Sequence, residues 1–366
     1  MSTDFLKLAN VGVQKLHPYQ PGKPSDELAR EMGITDIVKL ASNENPLGVS
    51  IAVKKGLIEC IDELSLYPDA NGHYLKQALA DKYALKAAQV TLGNGSNDLL
   101  EMLTHAFVCA SDEVIFAQYS FVVYGLLTQS IGARAVVVPA REYGHDLEAM
   151  LDAITPRTKL VFIANPNNPT GTFLKPDALK TFISRVPTHV LVVLDEAYFE
   201  YVNVEHAEDS SAWIVEFPNL IVLRTFSKAY GLAGLRIGYS LSNSSIAEIL
   251  NRIRQPFNCN ALALKAAFIA LNDRAYLQQT VALNNAGMKN LSDYFKRSSL
   301  DFIASEGNFI MVDVQRSADD VYQALLKEGV IVRPLGPYGL KNHLRVSIGT
   351  ETQNQRFKGA LTHVLK

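Results

Sequence analysis

The sequence predicts an α/β protein, in which a large domain with a mostly parallel sheet covered by helices is followed by a smaller α+β domain. Short runs rich in Val, Ile and Leu alternate with helical segments from about residue 89 to residue 242. Polar motifs follow several of these runs, as expected for a sheet whose ligands bind beyond the carboxyl ends of its strands. A second and smaller mixture of helix and strand patterns begins after residue 298.

The predicted strands of the large domain are nearly continuous apolar runs, which is typical of parallel strands buried on both faces. They cover residues 113–118, 134–140, 159–166, 189–198, 219–227 and 236–242. Helical segments between them include "SNDLLEMLTHAFV" and "PDALKTFISRV", the second with a proline in its first turn. Two further helices are predicted upstream, over residues 49–64 and 73–85, from the spacing of their apolar residues.

The first forty residues are predicted to be irregular, because "LHPYQPGKP" places three prolines in nine residues. We therefore expect an N-terminal arm over residues 1–45, a large domain over 46–270 and a small C-terminal domain over 271–366. The small domain contains the strand patterns "NFIMVDV" and "HLRVSIG", a helix near 317–328 and a last helix.

Composition and charge exclude several classes of function. A formal net charge of −2 provides no field that would attract nucleic acid or an anionic membrane. No apolar run reaches the length of a transmembrane helix. The three cysteines are far apart and form no CxxC pair, which argues against a disulfide framework and against a cysteine zinc site, and predicts a cytoplasmic protein without a metal.

Two loop motifs contain candidate ligands. In "TLGNGSNDLL" (91–100), Gly95, Ser96 and Asn97 open a helix whose backbone N–H groups can hold a phosphate, although an ordinary turn with a helix cap has the same pattern. "NPNNPTG" (165–171) predicts a rigid turn in which Asn168 either donates an amide hydrogen bond to a ligand or only serves the turn.

Asp195 ends the apolar run "VLVVLD", where an ionised carboxylate is costly unless a cation meets it. Asp195 could bind a cationic ligand, form a structural salt bridge or coordinate a metal. The metal site is disfavoured, because no histidine lies nearby at ligand spacing. Tyr198 follows three residues later, which favours a functional role.

"RTFSKAYGLAGLRIGY" (224–239) contains a lysine, Lys228, among small, apolar and aromatic residues. Burial lowers the pKa of a lysine and makes it a candidate Schiff-base nucleophile, whereas a lysine that extends to solvent is the alternative. Thr225, Ser227 and Arg236 nearby are suitable phosphate ligands. One ligand that satisfies all these residues would need an aldehyde to react with Lys228, a phosphate, and a cationic ring nitrogen to pair with Asp195. Pyridoxal phosphate has all three groups.

The order of these motifs resembles that of the fold-type I, aspartate-aminotransferase-like enzymes that depend on pyridoxal phosphate. The matching motifs are "PYQPGKP", "LASNENPLG", "YPD", "GNGSND", "NPNNPTG", "LDEAY", "SKAYGLAGLRIGY", "RPLG" and "LRVSIG". Within that family they are most similar to the histidinol-phosphate aminotransferases. The resemblance implies a ping-pong transaminase of histidine biosynthesis, which moves an amino group between L-histidinol phosphate or imidazole-acetol phosphate and glutamate or 2-oxoglutarate.

The resemblance also implies roles for the cofactor residues. Lys228 would bind the cofactor aldehyde and later carry a proton, Asp195 would keep the ring nitrogen protonated, and Tyr198 and Asn168 would hydrogen-bond the ring oxygen. Tyr119 would stack on the ring. The phosphate would be held by Gly95, Ser96, Asn97, Thr225, Ser227 and Arg236, together with Tyr67 from the partner subunit of a homodimer.

On the substrate side the resemblance implies Arg345, Arg333, Tyr19 and Asn43, with Glu44 in the same segment. The alternatives are structural: Asn43 and Glu44 fix the arm, and Arg333 forms a surface ion pair. Rival functions on the same scaffold are an aromatic amino-acid aminotransferase and an L-threonine-phosphate decarboxylase. A non-catalytic pyridoxal-phosphate-sensing module would need a DNA-binding domain, for which the segment before residue 40 is too short.

Overall fold

A computed structural model describes residues 4–18 and 21–366 of the chain. Its largest sheet has seven strands in the order β2-β8-β7-β6-β5-β3-β4. These strands are β2 (Val90–Gly93), β3 (Glu113–Ala117), β4 (Arg134–Val138), β5 (Thr158–Ala164), β6 (Leu191–Asp195), β7 (Leu220–Thr225) and β8 (Gly238–Ser242). The strands β4, β3, β5, β6 and β7, which are neighbours in this order, pair in parallel. Strand β8 is antiparallel to β7. The predicted mostly parallel sheet is therefore confirmed.

Helices precede, separate and follow these strands. They are α1 (Val11–Gln14), α2 (Ser25–Met32), α3 (Ile51–Ile58), α4 (His73–Tyr83), α5 (Ser96–Phe107), α6 (Val123–Ile131), α7 (Leu147–Asp152), α8 (Pro176–Arg185), α9 (Ser244–Ile253), α10 (Ala261–Asn272), α11 (Arg274–Arg297), α12 (Ala318–Lys327) and α13 (Glu351–Leu365). In the described part of the chain, none of these helices combines the length and the apolar character needed to span a bilayer.

Both faces of the large sheet are buried, as its continuous apolar strands require. Helices α4, α8 and α10 cover one face, and helices α5, α6 and α9 cover the other. The side chains of β5 alternate between the two cores: Leu160 and Phe162 belong to one, and Val161 and Ile163 to the other. The sheet is therefore held rigidly, and its strand ends give fixed positions to the loops that follow them.

A second, antiparallel sheet has the order β12-β13-β10-β9. Its strands are β9 (Phe302–Ile303), β10 (Phe309–Asp313), β12 (Arg333–Leu335) and β13 (Leu340–Ser347). Helices α11, α12 and α13 pack on one face of this sheet around a separate apolar core. A short parallel pair, β1 (Val38–Lys39) and β11 (Val330–Ile331), joins the N-terminal segment to this region. The domain boundaries near residues 45 and 270 stay a prediction.

The first forty residues are less irregular than the sequence predicted. Helix α2 follows Pro24, has Asp26 and Glu27 in its first turn and ends at Gly33 in the left-handed conformation. Prolines stop a helix in its interior but are compatible with a position just before it, and this segment also buries Leu28 against the small domain. Further along, the helix predicted over 49–64 ends earlier, at Ile58, and is followed by a separate short 3₁₀ turn.

A buried ion pair connects the carboxyl ends of β6 and β7. The guanidinium of Arg224 on β7 donates two hydrogen bonds of 2.9 and 2.8 Å to Glu196 and one of 2.8 Å to Asp209. Its carbon lies 3.6 Å from the ring centroid of Phe199. Because Glu196 follows Asp195 and Arg224 precedes Thr225 in the chain, this pair links the two strands directly beneath the candidate site.

We expect Arg224→Met to lower the free energy of unfolding by about 3–5 kcal/mol, because it leaves the buried Glu196 carboxylate without its cation. Urea denaturation at one fixed protein concentration measures the change. Arg252→Met, which removes only an exposed pair with Glu248, is the matched control and is expected to cost less than about 1 kcal/mol. Equal losses in the two variants would contradict the importance of the buried pair.

Candidate active site

A cavity of about 230 Å³ lies where the carboxyl ends of the large sheet face the small sheet. Most residues predicted for the site line it, namely Asn43, Ser96, Asn97, Asn168, Asp195, Tyr198, Thr225, Ser227, Lys228, Arg236, Arg333 and Arg345. They come from segments more than 300 positions apart in the chain. Parallel strands bring their loops together in this way, because their carboxyl ends share one edge of the sheet.

One end of the cavity has the chemistry of a phosphate site. Ser96 begins helix α5, so backbone N–H groups and the positive end of the helix dipole are directed toward it. Arg236 donates a hydrogen bond of 3.3 Å to the Ser227 hydroxyl, and its own backbone is left-handed at φ 57°. Gly95 has a φ of 85°, which favours glycine, and a Cβ there would lie 2.3 Å from the Arg236 guanidinium, so a larger residue would displace that cation.

Lys228 lies in the middle of the same cavity. Its Nζ donates a hydrogen bond of 3.1 Å to the carbonyl oxygen of Ser42. Burial, with the charges of Arg345 and Arg236, lowers the pKa of Lys228 to about 8, against the opposing charges of Glu44 and Asp195. A substantial fraction of the amine is therefore neutral near physiological pH and able to attack a carbonyl carbon.

Asp195 ends β6 on the cavity wall and is almost fully buried. Burial raises the pKa of its carboxyl group, while the Tyr124 hydroxyl, the Ala197 N–H group and the charge of Lys228 act in the opposite direction. Both oxygens already accept one hydrogen bond, Oδ2 from Tyr124 at 2.8 Å and Oδ1 from Ala197 at 3.2 Å. The carboxylate keeps acceptor capacity for a cationic N–H group of a ligand in the cavity.

Tyr198 is hydrogen-bonded to the N-terminal segment, and Asn168 is hydrogen-bonded to the small domain. Asn43 donates to the Tyr198 hydroxyl at 2.9 Å, and burial raises the pKa of that tyrosine to about 12. Arg345 donates to the amide oxygen of Asn168 at 2.6 Å and to the Ala41 carbonyl at 2.5 Å. With its oxygen so occupied, the NH₂ group of Asn168 is the donor that it offers to a ligand oxygen.

Two arginines face the cavity from the small domain. Arg333 on β12 and Arg345 on β13 are directly opposite each other in the antiparallel register. Like charges in such a pair are unfavourable, so an anion between or beside them stabilises the arrangement. The structure thus assigns Arg333 to the cavity wall, where the sequence had left a surface ion pair as the alternative.

Four of the described residues that were predicted for the site do not line the cavity, namely Gly95, Tyr119, Tyr67 and Glu44. Tyr119 stacks on Tyr143, at 5.9 Å between ring centroids, and packs with Met311 and Leu335 of the small sheet. Tyr67 is exposed and stacks on Phe257 instead. Glu44 forms an exposed ion pair with Lys39. Tyr19 lies outside the described residues.

Three aromatic residues that the sequence analysis missed lie in or next to the cavity. Phe121, two residues after Tyr119, is the aromatic side chain of that loop that lines the wall. Tyr338, in the turn between β12 and β13, lines it from the small domain. Tyr124 lies behind Asp195. The pattern "QYSFVVY" marks the segment as aromatic, but it does not show which ring faces the ligand.

The cavity fits pyridoxal phosphate on three separate observations. The Arg236 guanidinium and the N-terminus of helix α5 suit the phosphate, the neutral fraction of Lys228 suits the aldehyde, and the buried Asp195 suits a protonated ring nitrogen. These three groups line one cavity. No other common cofactor combines the three requirements.

Comparisons with known proteins give the same answer. The family described as aminotransferase class I and II matches residues 35–361. The chain belongs to that family. This membership confirms the predicted fold type and the predicted enzyme class, a pyridoxal-phosphate-dependent aminotransferase, which takes an amino donor and a 2-oxo acid.

Individual relatives extend over nearly the whole chain. Histidinol-phosphate aminotransferase 1 of Idiomarina loihiensis is 57% identical and covers 97% of both chains. Histidinol-phosphate aminotransferase 2 of Pasteurella multocida is 53% identical over 99% of both. Among solved structures, histidinol-phosphate aminotransferase from Sinorhizobium meliloti in complex with pyridoxal-5'-phosphate superposes with a TM-score of 0.90 at 29% identity, covering 97% of this chain and 96% of that one.

The lowered pKa of Lys228 predicts when the apoprotein captures an aldehyde. With pyridoxal phosphate, the apoprotein should form its visible chromophore faster as the pH rises and the amine loses its proton. The rate should level off above about pH 8. For a lysine with an ordinary pKa, the rate would continue to rise up to about pH 10.4. Stopped-flow absorbance across pH 6–11 gives the profile.

Lys228→Ala is the control for this measurement, because it removes the amine and should form no chromophore that borohydride can fix to the protein. A wild-type rate that keeps rising beyond pH 10 would contradict the effect of burial on Lys228. Full transaminase activity in the alanine variant would contradict the role of Lys228 itself.

Proposed function

We propose that this enzyme transfers an amino group between L-histidinol phosphate, or imidazole-acetol phosphate as its keto partner, and glutamate or 2-oxoglutarate. The observation that carries the proposal is a second anion site in the cavity. The large domain supplies Ser96, Ser227 and Arg236 at one end, and the small domain supplies Arg333 and Arg345. Once the cofactor phosphate takes the first site, the second remains for an anionic group of the substrate.

The two arginines suit both substrates of a ping-pong reaction. Arg345 is almost fully buried and hydrogen-bonded to Asn168, so its guanidinium is held in one orientation. Guanidinium groups bind carboxylates and phosphates with paired hydrogen bonds. Glutamate presents a carboxylate at this position and histidinol phosphate presents its phosphate. One pair of side chains can therefore serve two chemically different partners in turn.

Pyridoxal phosphate, when bound, supplies an aldehyde that captures amines and a ring that accepts electrons from the substrate carbon. The chain's own residues do the rest. Lys228 would provide the amine that holds the aldehyde and would then carry a proton at Nζ. Asp195 would hold the proton on the ring nitrogen, and Tyr198 and Asn168 would donate hydrogen bonds to the ring oxygen. Phe121, which lines the cavity, would be the aromatic side chain that covers the ring.

The names of the relatives favour this substrate over the rivals. The curated relatives named above, 57% and 53% identical, are histidinol-phosphate aminotransferases. An aromatic amino-acid aminotransferase is the nearest rival, because the cavity also contains Phe121 and Tyr338. An L-threonine-phosphate decarboxylase would need the same phosphate site but no amino acceptor.

A cytoplasmic location stays a prediction.

A comparison of kcat/KM for L-histidinol phosphate and L-phenylalanine, each with 2-oxoglutarate, tests the substrate. We expect histidinol phosphate to be preferred by roughly 100-fold, since phenylalanine offers the two arginines only a singly charged carboxylate in place of a phosphate. Arg333→Met should reduce kcat/KM for histidinol phosphate by about tenfold or more and affect phenylalanine less. A wide preference for phenylalanine would make the substrate assignment wrong, and release of carbon dioxide from threonine phosphate would favour the decarboxylase.

We further propose that the enzyme is a homodimer. Helix α3, the segment that follows it and the first turn of α4 expose large apolar side chains of a kind that a monomer rarely leaves to solvent together. Its large side chains are Ile51, Ile58, Ile61, Leu64, Leu66, Tyr67 and Tyr74. Tyr67, which is 82% exposed and absent from the cavity wall of its own chain, is then free to reach the cofactor phosphate of the partner subunit.

Sedimentation equilibrium of wild type and Leu66→Glu tests the dimer. The introduced charge lies in the proposed apolar contact, so we expect the variant to dissociate into monomers at protein concentrations where the wild type is a dimer. Val204→Glu is the matched control, because Val204 is also exposed, at 86%, but lies in a loop whose Asn203 N–H group donates to Glu306. A monomeric wild type, or a variant that dimerises as well as the wild type, would contradict the proposal.

A further inference from the structure

We propose that Tyr124 is a positioning residue for Asp195, whose carboxylate it keeps ionised and oriented so that the ring nitrogen of the cofactor retains its proton. The inference rests on the proposed role of Asp195. It adds a residue that no motif in the sequence had indicated. Tyr124 does not line the cavity, and it acts only through the carboxylate that it contacts.

The contact joins two side chains that are both withdrawn from solvent. The Tyr124 hydroxyl donates to Oδ2 of Asp195 at 2.8 Å, and the exposed fractions are 0% for the tyrosine and 5% for the aspartate. A hydrogen bond to a charged acceptor is stronger when water does not compete for either group. This bond is therefore a strong constraint on the carboxylate.

The tyrosine itself is held in place on two sides of its ring. It stacks on Phe162, with ring centroids 4.6 Å apart and planes at 6°, and it meets the edge of Phe121 at 5.9 Å and 87°. The Thr128 hydroxyl donates to its backbone carbonyl at 2.7 Å. Because this donor has so little freedom, it fixes the orientation of the carboxylate that it binds. Catalytic residues need neighbours that hold them in this way.

The direction of the hydrogen bond follows from burial. Burial and the neighbouring Asp195 raise the pKa of Tyr124 well above its ordinary value, so the phenol keeps its proton and is the donor. Asp195 is then the acceptor, and the bond favours its ionised form against the effect of burial. Lys228 and the Ala197 N–H group support the same ionised form from the other side.

Loss of this donor has a defined consequence. Without the phenolic proton the Asp195 carboxylate becomes more basic, because burial is less opposed. A proton shared between Asp195 and the ring nitrogen then moves toward Asp195. The ring becomes a neutral pyridine, which accepts electrons less well than a pyridinium.

The segment around Tyr124 gives this contact a second link to the site. Phe121 lines the cavity, touches the Tyr124 ring and lies in the same turn, in which the Tyr124 N–H group donates to the Phe121 carbonyl at 3.1 Å. The loop after β3 and the first turn of α6 thus supply both the aromatic side chain of the cavity wall and the support for Asp195. A change in this loop alters ring placement and ring protonation together.

The test is the ¹⁵N NMR shift of the ring nitrogen in holoenzyme loaded with ¹⁵N-labelled pyridoxal phosphate, measured without substrate. In Tyr124→Phe, which keeps the ring packing and removes only the hydroxyl, we expect the shift to move toward that of an unprotonated pyridine. We also expect kcat to fall roughly tenfold while KM changes little, because one charge-assisted hydrogen bond is lost. Asp195→Asn is the reference for loss of the ionic partner.

Tyr201→Phe is the matched control, since Tyr201 is also buried near the site but its hydroxyl contacts Asn308 and not Asp195. Its ring-nitrogen shift should equal that of the wild type. If Asp195→Asn moves the signal and Tyr124→Phe does not, the role of Tyr124 is wrong while that of Asp195 stands. If Asp195→Asn leaves the signal unchanged, the proposed role of Asp195 fails and the inference fails with it.

Discussion

The structure depends on one costly arrangement, the burial of the Asp195 carboxylate at the end of a central strand. An ionised carboxylate loses its hydration there, so every neighbouring group has to favour the charged form. Tyr124 and the Ala197 N–H group do so by hydrogen bonds, and Lys228 does so by its charge. The fold supplies these partners because β6 lies between β5 and β7 and under α6. The same burial prepares a site for a cationic ring.

The charges at the site are divided between the two parts of the chain. The large sheet presents Asp195, Lys228 and Arg236 on neighbouring strand ends, and the small sheet presents Arg333 and Arg345 on neighbouring strands. The segment around Asn43 joins the two halves. It bonds Tyr198 in the large domain and Ser347 and Asn308 in the small one. The groups that fit the cofactor and the arginines proposed for the substrate thus come from different parts of the chain and line one cavity.

Sequence reasoning succeeded where local chemistry is unusual. An aspartate after an apolar strand, a lysine among apolar residues and a glycine pair before a helix each require an explanation, and the structure brings Asp195, Lys228 and Ser96 to one cavity. It was less accurate where several residues share the same chemistry. Tyr119 and Phe121 are both aromatic and two positions apart, and the direction of each side chain depends on the path of the loop. Helix α2 was missed because the prolines before it hid its capping position.

The sequence by itself determined the fold class, the family and most of the residues that line the cavity, because apolar periodicity and motif order are local properties of the chain. Only the tertiary structure decided which aromatic side chain lines the cavity, that Arg333 faces Arg345, and that Tyr124 supports Asp195 from 71 positions away. The physical reason is that these relations depend on distances across the sheet and between domains. Burial, which lowers the pKa of Lys228 and raises that of Asp195, likewise belongs to the packed structure and not to any stretch of sequence.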